Sequence, residues 1–500
     1  MIRRRDAMPL DLDASLPLPE HRDLFYGGAW HTPGGGRVET WNPGTGESLG
    51  PVAQANADDV EAAVVAAQAG FETWRDVAPL ERARVLKRIA QVLREHAREL
   101  ALIDAANCGN PVAEMTSDAM VAAAQLDFFA GLVTEMKGAS IPMGPDAVNF
   151  SVREPRGIVA RIIPFNHPFM FAAAKSAAPL AAGNSVLVKP PEQAPLSSLR
   201  LAELIGHLLP AGTFNVVPGG RETGAALASH PRIAMVAIIG SVAAGRAVMR
   251  AASETVKPVL LELGGKNALI AYPDADPGEV ASAVVAGMNF TWCGQSCGST
   301  SRAFVHRAIY DAVLAKMSEA LERFRPGMPT DEATTMGAIV SRTQFDRVME
   351  HIRAAKAEGA RLVHGGAPPS DAALQRGWFI EPTVFADVTS DMRIAREEIF
   401  GPVLGVLPWE DERRMLAEVN DVPYGLTCSI WTNDISRAHR TAMAVNVGYV
   451  WINEVGKHFL GAPFGGTKHS GFGREESIQE LFSFTQEKNI HVRLRRGSLT

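Results

Sequence analysis

Cysteine is scarce: four residues in a chain of 500, far below the density of a disulfide-stapled scaffold. That excludes a small cross-linked fold and points to free thiols in a reducing compartment. Charge of one sign is lacking too. A net charge of −6 and a pI near 6.1 leave no basic footprint for nucleic acid. No apolar run approaches the roughly 20 residues that span a bilayer. The opening MIRRRDAMPLDLDAS is basic for five residues but has no apolar stretch for a signal peptide, and its aspartates argue against a transit peptide. What remains is the expectation of a soluble, cytoplasmic protein whose partners are small molecules, with neither nucleic acid nor membrane among them. No internal repeat or low-complexity tract is evident.

At 46% hydrophobic residues and 500 positions, the chain is long enough for two or three domains. Helical and strand-like segments alternate, the pattern of α/β architecture with largely parallel sheets. After Pro79, Leu86, Ile89, Leu93 and Leu100 recur at helical spacing with charged residues between them. The runs GIVARII, NSVLVKP, RIAMVAIIGS, KPVLLELGG and NALIAY predict buried strands, and FAAAKSAAPLAAG a helix packed tightly on a sheet. From Val259 the alternation restarts with TSRAFVH, GPVLGVLPW, LTCSIWT and GYVWIN, which suggests a second α/β domain. The segments around KGASIPMGPD and FSFTQEKNIHVRL read as strands reaching away from both.

Four short motifs carry chemistry. In GQSC, Gly294 and Gln295 precede Cys297 at a turn-like bend, where a thiol can be exposed and a backbone amide can face a developing oxyanion. Cys293, Cys108 and Cys428 fit buried cysteines behaving as small hydrophobes. A metal reading finds too few ligands, with only His306 nearby, so no metal is expected. In LELGGKN, Glu262 ends an apolar strand and is either salt-bridged or a base, since an unpaired buried charge is costly. In PFNHPF, Asn166 follows a strand and can donate to an oxyanion or simply stabilise a turn. In IIGSVAAG, Gly240 and Gly245 flank a strand-to-helix turn, where glycine serves either a pyrophosphate or helix packing. Lys189 and Glu192 follow another strand at the ligand-binding end of a doubly wound sheet.

Taken together and in order, PFNHPF, KPPE, LPAGTFNVVPG, GSVAAG, LELGGK, GQSC, EEIFGPV and PFGGTKHSGFGRE resemble the aldehyde dehydrogenase superfamily from about Leu24 to Val492. The resemblance implies two Rossmann-like α/β domains with parallel or mixed sheets and a small β oligomerisation arm. It divides the chain into an NAD-binding domain (1–130 and 150–258), a catalytic domain (259–468) and an arm (131–149 and 469–500). It also implies NAD-dependent oxidation of an aldehyde to a carboxylic acid. Cys297 would be the nucleophile, passing through a thiohemiacetal and a thioester, and Glu262 the general base. Asn166 and the Cys297 amide would form the oxyanion hole, with Lys175 and Glu475 in proton relay.

For the cofactor, the resemblance implies Lys189 and Glu192 at the adenosine ribose, Ser241 at the pyrophosphate, and Glu398 with Phe400 at the nicotinamide. Ile162, Pro164, Phe165, Gly220, Gly224, Gly240, Leu263 and Gly264 complete that expected site. A carboxylate at Glu192 accepts from two ribose hydroxyls but repels a 2′-phosphate, so NAD is expected over NADP. The matching substrate positions are His167, Phe171, Ala174, Trp292, Ser296, Glu454, Lys457 and His458, a more polar set than a tunnel for long alkyl aldehydes. Phe165 stands where the family usually has Trp, and His167 where an apolar residue is common. A coenzyme A-acylating relative generally lacks the base, so Glu262 counts against it. A catalytically silent homologue is disfavoured by the presence of Cys297, Glu262 and Asn166. The arm predicts a homodimer or homotetramer.

Overall fold

The computed structural model describes residues 16–495, so the basic start read from the sequence lies outside the described residues. Two large sheets and a three-stranded one organise the described residues, with two two-stranded pairings beside them. In the first, five strands run parallel in the order Phe214–Val216, Ser185–Lys189, Ile158–Ile162, Ile233–Gly240 and Val259–Leu263. Their order reverses between Ile158–Ile162 and Ile233–Gly240, which opens a crevice at the carboxyl ends of those two strands. Alternation within the strands feeds a core on each face. Val159, Val186, Val188, Met235, Ala237 and Leu260 join one apolar cluster, while Ile158, Ala160, Leu187, Val236, Ile238 and Leu261 join another. Both faces are dry, which is why these strands read as continuous apolar runs.

The strand Val259–Leu263 pairs in parallel with Ile233–Gly240 and therefore belongs to this first sheet, not to the second domain expected to begin at 259. Its far side is closed by the antiparallel strand Gly471–Phe472, which returns from late in the chain. The change of sheet falls at Gly264–Gly265, since Ala268–Ala271 already pairs with Arg302–His306 and Thr427–Trp431 in the second sheet. That sheet has seven strands, parallel except for Arg361–His364 at one edge. Two strands in unlike sheets, joined by a glycine pair, set Glu262 at the seam.

The helix after Pro79 spans Pro79–Glu95 and buries Leu86, Ile89 and Leu93. Leu100 lies instead on a separate helix, Ala97–Cys108, because the chain breaks at His96, whose ring sits 2.8 Å from Glu99. The third sheet pairs Thr485–Arg493 with Ala147–Pro155 along nine residues, with Ser140–Ile141 on the other side. The long strand thus runs past the expected boundary at 149, and the C-terminal strand begins at Thr485, since Phe482 still belongs to the helix Ile478–Ser483, which Phe484 caps. Among the described residues no helix is long and apolar enough to cross a membrane.

Candidate active site

Between the helix Pro277–Gly287 and the strand Arg302–His306 the chain makes one tight loop. Asn289, Cys293 and Gly294 all take positive φ, at 56°, 54° and 64°. Such angles are uncommon outside glycine and cost energy that the surroundings must supply. At Gly294 only glycine fits, because a Cβ would stand 2.2 Å from the carbonyl oxygen of Gly401. Gln295 braces the loop from within, its Oε1 accepting the Val340 N–H at 3.1 Å. The bend delivers Cys297 to a half-buried position, whereas Cys108, Cys293 and Cys428 are buried.

Asn267, from the strand side of the glycine pair, donates to the carbonyls of Cys297 and Ser299 at 2.6 and 3.0 Å. Gly265 passes so close that a Cβ there would lie 2.9 Å from the Cys297 carbonyl oxygen. Burial pushes the Cys297 thiol well above its ordinary pKa, and the carboxylates of Glu262 and Glu398 push it further. The backbone amides of Cys297 and Gly298 pull the other way.

Glu262 is 4% exposed and its Oε1 has no partner. Burial, then repulsion from Glu475, raises its pKa well above the carboxylate range. A buried, unsatisfied carboxyl group at the seam beside a thiol is suited to accept and release a proton. Asn166 is also 4% exposed, its main-chain carbonyl held by Asn110 at 2.6 Å and its Oδ1 buried without a partner. The PFNHPF turn therefore stands on a buried side chain rather than on its own Asn.

Behind Glu262 lies a buried ionic cluster. Lys175 Nζ is 2.9 Å from Glu475 and 3.9 Å from Glu476, and Arg161 is 3.1 Å from Glu475 and 4.0 Å from Glu480. Burial opposes charge on Lys175, but Glu475, Glu480 and Glu476 outweigh it and raise its pKa. Burial likewise works to raise Glu475, yet Lys175 and Arg161 hold it below the usual range. Arg161 was readable as an anomaly, a charge inside GIVARII that burial obliges to pair. Glu476 carried no such signal, because GREES reads as a solvated turn, and neither did Glu480, one polar residue in the short helix that follows.

The crevice of the first sheet gathers the expected cofactor residues. Ser241 caps the helix Val242–Ser253, its Oγ accepting from the Ala244 N–H at 3.2 Å. Of the two glycines flagged there, Gly245 serves packing: a Cβ would stand 2.5 Å from Leu263. Lys189 donates to the Pro190 carbonyl at 2.9 Å, and burial lowers its pKa to about 8 against the pull of Glu192. Gly220 lies against Glu192, 3.2 Å from Cβ position to Oε1, and Gly224 against Lys189 at 3.7 Å. At the other end, Gly265 donates to Glu398 at 3.0 Å, and a Cβ on Gly264 would stand 2.0 Å from the same carboxylate. Phe400 meets Phe165 edge-on at 5.6 Å, while Ile162 and Pro164 line the strand end half-buried. A helix N-terminus, a carboxylate beside glycine and a backbone cradle without Cβ atoms fit a dinucleotide.

The residues expected at the substrate fall into two groups. His167, with Nδ1 2.7 Å from Asp118, presents its ring edge-on to Trp292 and Phe171 at 4.6 and 5.7 Å. Burial opposes its protonation, but Asp118 prevails and raises its pKa. Asp118, the partner that makes an apolar-site histidine tolerable, was not legible in the sequence. In the second group His458 packs on Phe464 at 4.4 Å and hydrogen-bonds Glu476 at 3.0 Å. Glu454 pairs with Lys457 at 2.5 Å, and Ser296 accepts from the Gly298 N–H at 3.3 Å.

Comparison with known proteins agrees with this geometry. The model of the aldehyde dehydrogenase family matches residues 30–490, and the chain belongs to that family. It is 52% identical over 486 residues to aldehyde dehydrogenase tropH of Talaromyces stipitatus, covering 95% of this chain and 94% of that one. It is similar to the structure of the NAD+ complex of an aldehyde dehydrogenase from Bacillus cereus, with a TM-score of 0.93 at 37% identity over 97% of this chain and 99% of that one. A structure of P. syringae AldA, an indole-3-acetaldehyde dehydrogenase in complex with NAD+, matches with a TM-score of 0.92 at 36% identity, covering 95% of this chain and 97% of that one.

Proposed function

We propose that this chain oxidises a small aldehyde to its carboxylic acid, with NAD as the acceptor and Cys297 as the nucleophile. The observation that carries this reading is the seam itself: one half-buried thiol on a braced loop, in the electrostatic range of a buried carboxyl group with an unpartnered oxygen. The Cys297 sulfur attacks the aldehyde carbon and forms a thiohemiacetal. Asn166 and the Cys297 amide donate to its oxyanion, where preformed dipoles are worth most. NAD supplies the acceptor for the hydride that leaves this carbon. Cys297 is then acylated as a thioester. Glu262 takes a proton from water as that water attacks, and the acid departs. Lys175 and Glu475 relay the proton from Glu262, the Lys175 ammonium giving up one proton as it takes another.

Glu192 favours NAD, because its exposed carboxylate repels a 2′-phosphate. The nine-residue strand Thr485–Arg493 has one paired edge and a largely exposed remainder, which supports assembly by strand addition into a dimer or tetramer. Cys297→Ala should abolish NADH formation from aldehyde and NAD. Glu262→Gln should form about one NADH per site and then stall. Hydride transfer persisting in Cys297→Ala would remove the assigned nucleophile.

A further inference from the structure

The proposed reaction, aldehyde plus NAD plus water giving carboxylate plus NADH, also releases two protons. Glu262 receives one of them at a site 4% exposed, so the proton needs a way out. The buried cluster marks a direction. Side-chain exposure is 2% at Glu475 and 3% at Lys175, then 12% at Glu476 and 39% at His458. Glu475 and Lys175 are 2.9 Å apart and Glu476 and His458 3.0 Å, while Lys175 and Glu476 stand 3.9 Å apart as an ion pair, a gap that a turn of the lysine ammonium closes.

Two features argue against a purely structural ion cluster. Charge does not balance, since three cations, Arg161, Lys175 and Arg474, act on four carboxyls, Glu262, Glu475, Glu476 and Glu480. Two of these carboxyls are shifted toward the protonated form: burial, then repulsion from Glu475, keeps Glu262 high, and burial raises Glu480 to about 7. Glu476 also adopts φ 62°, costing roughly 1–2 kcal/mol for a residue with a Cβ. Its N–H donates to Glu480 at 2.7 Å and its carbonyl accepts from Gly461 at 2.7 Å, so this backbone is held from both sides. In this conformation one carboxylate oxygen of Glu476 faces Lys175 and the other faces His458.

We propose, resting on the aldehyde-oxidising reading, that Glu476 and His458 form the outer end of the proton path that begins at Glu262. Lys175 gives one Nζ proton to Glu476 Oε1 as it receives another from the Glu262 side. The protonated Glu476 carboxyl then turns and delivers that proton to Nδ1 of His458 in its Nε2–H tautomer. The imidazolium releases its Nε2 proton to water, and exchange at the exposed ring restores the starting tautomer. Tyr449, Trp451 and Phe464 surround the ring without adding a titrating group near neutral pH.

The test uses the full-length enzyme with Glu476→Gln and His458→Gln, followed by stopped-flow NADH absorbance. Glu476→Gln should keep the rate of the first-turnover burst within about twofold, while the later steady-state rate falls about tenfold in both variants. Added imidazole buffer should restore much of the loss in His458→Gln. An unchanged steady-state rate in both variants overturns the proposal. So does a burst in Glu476→Gln that slows in step with turnover, the mark of a structural role, or a loss in His458→Gln that added buffer does not relieve. Wild-type NADH formation reports separately on the aldehyde reading, so the two failures are distinguishable.

Discussion

The side-chain amide of Asn267 lies 2.6 Å from the carbonyl oxygen of Cys297, while its own Oδ1 receives the Thr427 N–H at 3.0 Å. One side chain thus ties the nucleophile loop to the second sheet. Asn267→Ala orphans the buried Thr427 amide and frees two loop carbonyls, a loss of about 1–3 kcal/mol by the usual cost of such groups. Thermal denaturation should show a lower Tm, and kcat should fall at least about tenfold because the sulfur is no longer fixed. NAD affinity, set in the crevice of the other sheet, should hold. Unaltered kcat in a folded variant would mean that the loop keeps its shape without the clamp.

Thiol chemistry gives a second check. Burial and the neighbouring carboxylates of Glu262 and Glu398 raise the Cys297 pKa, so the free enzyme holds a thiol at neutral pH. Iodoacetamide labelling read by mass spectrometry should therefore be slow at pH 7 and faster as pH rises above the ordinary thiol range. It should mark Cys297 and spare the buried Cys108, Cys293 and Cys428. Glu262→Gln removes a nearby negative charge and should speed labelling at fixed pH. Equal labelling of Cys293 would contradict the burial described for it.

Much of this site was legible in the sequence, and the reason is physical. Cys297, Glu262 and Asn166 sit beside turns and strand ends whose glycines and apolar runs are local signals. Partners from distant segments were not legible: Asn267 for the loop, Asp118 for His167, and Glu476 for His458. Each is a polar residue in an ordinary local setting that becomes informative only when folding brings it against another. The boundary at Val259 failed for a related reason. A buried parallel strand reads the same in either sheet, and only its hydrogen-bonded neighbours assign it to the first.

Asp104 makes stability depend on pH. It is fully buried, accepts from the Phe169 N–H at 3.2 Å through one oxygen and has no partner for the other. Burial raises its pKa to about 7, with Asp118 adding to the shift. A raised folded-state value means that the folded chain holds the proton more tightly than the unfolded chain does. Its contribution is fully present below about pH 4, the unfolded value, and is lost as pH rises through 7. Asp104→Asn keeps an acceptor for Phe169 and removes the titration. The Tm of the variant relative to wild type should therefore climb between pH 5 and pH 8. A constant difference across that range would show that Asp104 does not titrate there.

Glu192 offers the last test, on cofactor choice. Its carboxylate lies against the Cβ-free surface of Gly220 and, being exposed, acts through a water-like dielectric. A doubly charged phosphate about 4 Å away would then be disfavoured by roughly 2 kcal/mol, about thirtyfold. In Glu192→Gln that repulsion disappears, and Lys189, otherwise opposite a carboxylate, becomes available to a 2′-phosphate. The ratio of kcat/KM for NAD over NADP should fall at least about tenfold. Most of the change should appear in KM, because the adenosine end is remote from Cys297 and binds ground state and transition state alike. A ratio that stays fixed would place the discrimination elsewhere along the crevice and leave Glu192 with no part in it.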